Sequence, residues 1–195
     1  MNATTYAGIT PVTDPNTPYL GGNIKEGDPY TFCPRVWTYV IERFCIRSVL
    51  DLGSGIGNAA DWFFKKGLRT VAVDGLQSNI ADSFYPTICH DLTKSAVFTK
   101  VDLVHCQEVV EHIEEHYINH LLESLACGRV VLITHALPEQ GGHHHVNLKA
   151  ADYWIGHMAG RGFNFMTEDS NRVRDIAKQE GAVYMANSGL LFHRR

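Results

Sequence analysis

Two stretches of the chain combine residue types that could do chemistry. The first is Asp51-Leu52-Gly53-Ser54-Gly55-Ile56-Gly57, followed by Asn58. Glycines at 53 and 55 let the backbone pass close beneath a bulky ligand, and a helix starting just after them would offer free N–H groups. Asp74 closes the next apolar run, 23 residues after Asp51, where a carboxylate can accept hydrogen bonds from both hydroxyls of a ribose. Together these residues describe a site for a nucleotide-like ligand. The second stretch runs from Thr134 to Asn147 and holds His135, Glu139, Gly141, Gly142 and the consecutive His143, His144 and His145. Imidazoles titrate near neutrality, which suits acid–base work. In an extended segment His143 and His145 share a face, so a metal held with His135 or Glu139 is a second reading, and a hydrogen-bonded structural loop is a third.

The elements that must position these groups follow from the apolar pattern. Val36, Trp37, Val40, Ile41 and Phe44 fall on one helical face after Pro34, a residue suited to a first turn. Ser48 to Leu52 reads as a strand, Asn58 to Lys66 as a helix stopped by Gly67, and Thr70 to Asp74 as the next strand. A short helix is expected over 76 to 83, and further strands at Tyr85 to His90, Val101 to Cys106 and Arg129 to Thr134. The last is an unbroken apolar run of the kind buried on both faces. Residues 113 to 126, 149 to 159 and 168 to 179 carry helical spacing, and Leu190 to His193 forms a closing strand. Tyr153 and Trp154 fit either a core face or an aromatic pocket wall. Such alternation of strands and helices means a parallel sheet covered on both sides, with ligands at the carboxyl ends of its strands. The histidine segment, following the strongest strand, then belongs at that edge.

Composition sets the outer bounds. The 195 residues, 45% of them hydrophobic, suffice for one core, expected over 32 to 195. Residues 1 to 31, rich in Thr, Pro, Gly and Asn, are expected to be an N-terminal arm, either a lid or disordered. A net charge of −4 provides no global basic field, which argues against nucleic acid as a partner. Five cysteines form no C-x-x-C pair, and most lie in apolar runs, as in a cytoplasmic protein with reduced thiols. The opening Met1-Asn2-Ala3-Thr4-Thr5 has neither a basic region nor an apolar run behind it, so no signal peptide or membrane segment is expected.

Asp51-x-Gly53-x-Gly55-x-Gly57 directly after a strand resembles the first motif of the class I S-adenosylmethionine-dependent methyltransferases, over roughly residues 34 to 195. The resemblance implies a Rossmann-like α/β fold. Its seven-stranded sheet would be mostly parallel, with helices on both faces and an antiparallel last strand. It implies S-adenosyl-L-methionine as cofactor, with Asp51, Gly53, Ser54 and Gly55 near the methionine moiety and Asp74 with Gly75 at the ribose. Asp91 and Leu92 would lie near the adenine, and Gln107 and Glu108 at the methionyl end. Glu108-Val-Val-Glu111-His112 also resembles an E-x-x-E-H segment of many small-molecule methyltransferases, and the segment Gly141 to Asn147 resembles a loop of a methyltransferase-like subgroup. Methyl transfer to an oxygen or nitrogen leaves a proton, so His143, His144 and His145 are the expected bases, with Glu111, His112, His135 and Asn147 on the acceptor side. No metal ligand set is assigned. A small molecule or sugar is the expected acceptor, with RNA or protein as the other choice, and a cofactor-binding protein without catalysis as a different class. A nicotinamide enzyme fits less well, because G-x-G-x-x-G read from Gly53 requires glycine where Asn58 stands.

Overall fold

In a computed structural model, residues 11–21 and 23–195 are described. Two short strands, β1 (Pro11–Val12) and β2 (Asn23–Ile24), pair antiparallel, and helix α1 (Pro34–Phe44) follows them. Next come β3 (Ser48–Leu52), α2 (Asn58–Lys65), β4 (Arg69–Asp74), α3 (Gln77–Ala81), β5 (Thr87–Cys89) and β6 (Val101–Cys106). Helix α4 (Ile118–Leu125), β7 (Gly128–Ile133), α5 (Ala151–Gly160), β8 (Phe163–Phe165), α6 (Thr167–Glu180), α7 (Val183–Ser188) and β9 (Leu190–Arg194) complete the chain. Seven strands form one sheet in the order β5-β4-β3-β6-β7-β9-β8. Its strands are parallel except β9, which runs antiparallel to both neighbours, β7 and β8. This is the doubly covered α/β sheet expected, with the last strand reversed.

Alternation along β7 explains why its sequence is apolar throughout. Val130 and Leu132 pack with Val36, Trp37 and Val40 of α1, Phe63 of α2 and Val173 of α6, whereas Val131 and Ile133 face Leu121 and Leu125 of α4 and Trp154 and Met158 of α5. Trp154 thus belongs to the core. Helix α1 starts where it does because Pro34 occupies its first turn, and because the Glu180 carboxylate at the end of α6 accepts the free N–H groups of Arg35 and Val36 at 2.8 and 3.3 Å. Cys45 in the left-handed region closes it, with φ 50°.

The polar residue inside β6 is matched to one inside β3. Asp51 and His105 are register partners on adjacent parallel strands, so their side chains emerge side by side on the same face. His105 Nδ1 donates to Asp51 Oδ1 at 2.7 Å, and Trp37 Nε1 donates to His105 Nε2 at 3.2 Å. A carboxylate can only accept, so Nδ1 carries a proton. All three residues are buried.

Several expectations are corrected. The helix expected from 113 starts only at Ile118, after 3-10 turns at Val110–His112 and Glu115–Tyr117. The Glu111 carbonyl, which a continuous helix would use, accepts instead from the backbone N–H groups of Val146 and Asn147, both at 3.0 Å. Strand β8 and helix α7 had no signal of their own, being three and six residues long. Of the expected arm, residues 1 to 10 lie outside the described residues, and 11–21 and 23–31 are described. They hold the β1–β2 pair and a 3-10 turn at Pro18–Leu20, and Ile24 is buried. No helix among the described residues is long and apolar enough to cross a membrane.

Two stability outcomes follow. Leu132→Ala, at a fully buried position in the sheet centre, should cost about 2–5 kcal/mol in urea unfolding. His105→Leu keeps the volume but strands the Asp51 oxygen and the Trp37 N–H, and should cost about 1–3 kcal/mol. A loss under about 0.5 kcal/mol, the scatter of surface substitutions, would show that this chain of hydrogen bonds contributes nothing net.

Candidate active site

The carboxyl ends of β3, β4, β6 and β7 open into a cleft of about 1460 Å³. The glycine loop forms its floor. Gly53, Gly55 and Gly57 all have positive φ, at 74°, 55° and 80°. A Cβ on Gly53 would stand 2.2 Å from Val109 Cγ2, so conformation and space both require glycine there. Gly53 and Ser54 donate their N–H groups to Val73 O at 2.8 and 3.0 Å, and Gly55 N donates to Asp74 Oδ2 at 2.8 Å. The other oxygen of Asp74 accepts Leu76 N at 2.9 Å and Asn79 Nδ2 at 3.1 Å. Burial pushes the Asp74 carboxyl up, against the lowering effect of these hydrogen bonds.

Around the floor stand polar groups whose hydrogen-bonding capacity is unspent. Asp51 Oδ2, Ser54 Oγ and Gln107 Nε2 are buried, and each lacks a hydrogen-bond partner among the described residues. Glu108, with φ 55°, receives Thr134 Oγ1–H on Oε1 at 2.8 Å, while its own N–H donates to the same hydroxyl oxygen at 2.8 Å. Burial, and then the Asp28 charge, raise its carboxyl to about 7. Behind it Glu111 is fully buried, and burial together with the Glu108 charge pushes its carboxyl well above the usual range. The neighbouring His112 is driven down to about 4 by burial and by the His145 ring, which sits edge-on at 5.1 Å.

The site residues expected from sequence are only partly brought together. Asp51, Gly53, Ser54, Gly55, Asp74, Gly75, Leu92, Gln107, Glu108, His112, His143 and His145 line the cleft. Asp91 does not, because Thr93 N and Oγ1 occupy its Oδ1 at 2.8 and 2.7 Å and Tyr19 Oη–H donates to its Oδ2 at 3.1 Å. His144 is likewise absent from the lining, with φ 49° and its ring 6.3 Å from Tyr19. His135 is a core residue, its N–H given to Ser188 Oγ at 3.1 Å and its Nδ1–H to Ala136 O at 3.1 Å. Asn147 is buried too, and Nδ2 donates to Ile113 O at 3.1 Å. It ties the histidine loop to the turn after β6.

Other wall residues carried no signal that sequence reading used. Tyr19, Leu20, Ile24 and Asp28 reach the cleft from the arm, and Tyr184 and Asn187 from α7. His143 clasps the arm, since Nε2 donates to Pro18 O at 2.7 Å. Burial raises the Asp28 carboxyl, which accepts Tyr184 Oη–H at 3.1 Å. His105 did have a signal, a lone imidazole inside an apolar strand beside a strand ending in Asp51.

Comparison with known proteins agrees with this geometry. A family model described as a methyltransferase domain matches residues 16–174. Among solved structures, a SAM dependent methyltransferase from Archaeoglobus fulgidus superimposes with a TM-score of 0.59 at 17% identity, covering 87% of this chain and 96% of that one. Magnesium protoporphyrin IX methyltransferase from Synechocystis, with bound SAM, gives 0.54 at 16% identity over 68% and 67% of the two chains. The [4+2]-cyclase SpnF gives 0.55 at 13% identity over 82% and 80%. At these identities the structural likeness shows the fold alone, and no curated protein matches the sequence. The match of the family model over most of the chain shows that the protein belongs to the methyltransferase domain family.

Proposed function

We propose that the protein is an S-adenosyl-L-methionine-dependent methyltransferase acting on an oxygen or nitrogen atom of a small molecule or sugar. One observation carries this reading. The glycine loop, Asp74 and three buried unpartnered polar atoms, on Asp51, Ser54 and Gln107, converge on one cleft, and a buried polar atom left without a partner costs about 1–3 kcal/mol until a ligand satisfies it. The donor and acceptor types fit the cofactor. Asp51 Oδ2 would accept its amino group, with Ser54 and Gln107 beside the methionine moiety. Asp74 Oδ2, which accepts only Gly55 N, retains accepting capacity for a ribose hydroxyl, and Gly75, His90 and Leu92 would flank the adenine. The bound cofactor supplies an electrophilic sulfonium methyl.

The remaining work falls to this chain's own residues, and it is mostly positioning and exclusion of water. Arm residues Tyr19 and Leu20 cover the ribose end, held by the Tyr19–Asp91 and His143–Pro18 hydrogen bonds. His112, Gln140, His143, His145, Tyr184 and Asn187 would form the acceptor wall. His144 and His135 are left out of it, and Asp91 acts through Tyr19. Five acids, Asp28, Asp51, Asp74, Glu108 and Glu139, line the cleft, and neither Lys nor Arg appears among its described lining residues. That supports an uncharged or cationic small acceptor over a phosphate backbone. The five cysteines are free, in keeping with a cytoplasmic setting.

Calorimetry with S-adenosylhomocysteine tests the cofactor site. Asp74→Ala should weaken binding by about 1–3 kcal/mol, the range for hydrogen bonds to a charged group, while the circular dichroism spectrum stays native. Unchanged affinity in a folded variant would remove Asp74 from the site. NAD(H) should give no thermal stabilisation, and stabilisation by NAD(H) alone would replace the methyltransferase reading with an oxidoreductase one. With a panel of small hydroxyl and amine acceptors, formation of S-adenosylhomocysteine together with the methylated acceptor is the expected outcome. Cofactor binding without turnover on any of them, nor on RNA or protein, would favour a non-catalytic binding protein.

A further inference from the structure

The turn after β6 and the loop after β7 meet in a cluster that the cofactor site does not use. Val146 N and Asn147 N both donate to Glu111 O at 3.0 Å, and Asn147 Nδ2 reaches Ile113 O. This staple brings His145 onto Glu111 and His112, so that one ligand atom from each of the three residues lies within 4.8 Å of the others. Gly142 makes room for it, because a Cβ there would stand 2.2 Å from the His145 ring. Glu111 is fully buried with only the Glu108 carboxyl close to its own, no hydrogen bond of good geometry reaches either of its carboxyl oxygens, and His112 Nδ1 is also buried without one. His145 Nδ1 donates to Gln140 O at 3.2 Å, which leaves the lone pair on Nε2. A ring whose one nitrogen is held by a carbonyl so that the other can coordinate is the usual support of a metal-bound histidine.

Two imidazole nitrogens and a carboxylate oxygen thus face one point, with Glu111 fully buried and His112 and His145 half-buried at the edge of the cleft. We propose that Glu111, His112 and His145 bind one divalent transition-metal ion on the acceptor side of the cleft. Two imidazoles and a carboxylate suit zinc, cobalt or manganese better than calcium or magnesium, which prefer all-oxygen cages. Three protein ligands leave a coordination position open. It lies on the cleft side, because His112 and His145 line the cleft while Glu111 stands behind them. An oxygen donor, either water or a hydroxyl, fits that position, and only the identification of such a hydroxyl with an acceptor rests on the proposed function. The ligand set differs from the one considered on sequence, since His135 is in the core and His143 is engaged with Pro18. Of that set only His145 remains.

The test uses the full chain stripped with a chelator and titrated with zinc chloride by calorimetry, without cofactor. About one ion per chain should bind, and cobalt should give visible d–d bands that zinc abolishes. His145→Ala and Glu111→Gln should each weaken zinc binding by more than roughly 10–100-fold, the loss seen when even an outer partner of a ligand is removed. His116→Ala, on an exposed turn, should bind zinc as the parent does. If Glu111→Gln does not fold, His145→Ala in the half-buried loop decides the matter. Absence of binding, or binding unchanged in a folded His145→Ala variant, overturns the site. Titration with S-adenosylhomocysteine separates this proposal from the previous one. Cofactor binding without zinc binding removes only the metal site, and zinc binding without cofactor binding removes only the methyltransferase reading.

Discussion

The buried chain from Trp37 through His105 to Asp51 is the constraint on which the site depends. It links α1, β6 and β3 beneath the glycine loop, and its geometry follows from the parallel register that sets Asp51 beside His105. A carboxylate placed in an apolar core must be paired, and here only one of its oxygens is. The sheet therefore holds Asp51 in one orientation, with its second oxygen unpartnered among the described residues at the floor of the cleft.

The same arrangement recurs at Asp74. Its carboxylate accepts the N–H groups of Gly55 and Leu76 and so holds together the two loops that follow β3 and β4. Glycine at 53 and 55 is needed for the backbone to turn with positive φ, but the turn is kept in place by an acid from the neighbouring strand. An acid read from sequence as a ligand-binding group is thus also a structural partner of the glycine loop. Any substitution there acts on the loop, and for that reason affinity and folding must be measured side by side.

The walls of the cleft depend on contacts between segments far apart in the chain. The arm meets the histidine loop through His143 and Pro18, and meets the segment after β5 through Tyr19 and Asp91. The histidine loop in turn is fixed to the turn after β6 by the Glu111 carbonyl and by Asn147. The three consecutive histidines consequently take three different surroundings. His143 binds the arm, His144 turns from the cleft, and His145 faces His112.

By itself the sequence determined the alternating elements, the glycine turn between β3 and α2, the acids Asp51 and Asp74 at strand ends, and the edge of the sheet where ligands belong. Each of these rests on a local period or on a backbone requirement that a few neighbouring residues express, such as the two-sided burial of β7 or the positive φ of Gly53. Only the tertiary structure decided that Asp91 and His135 hydrogen-bond to internal partners, that Tyr19 and Leu20 of the arm reach the cleft, and that Glu111 and His112 stand against His145. The backbone there has no repeat to read. Its path is set by hydrogen bonds between residues dozens of positions apart, such as Asn147 to Ile113 or Tyr19 to Asp91, and these exist only once the sheet has brought its loops to one edge.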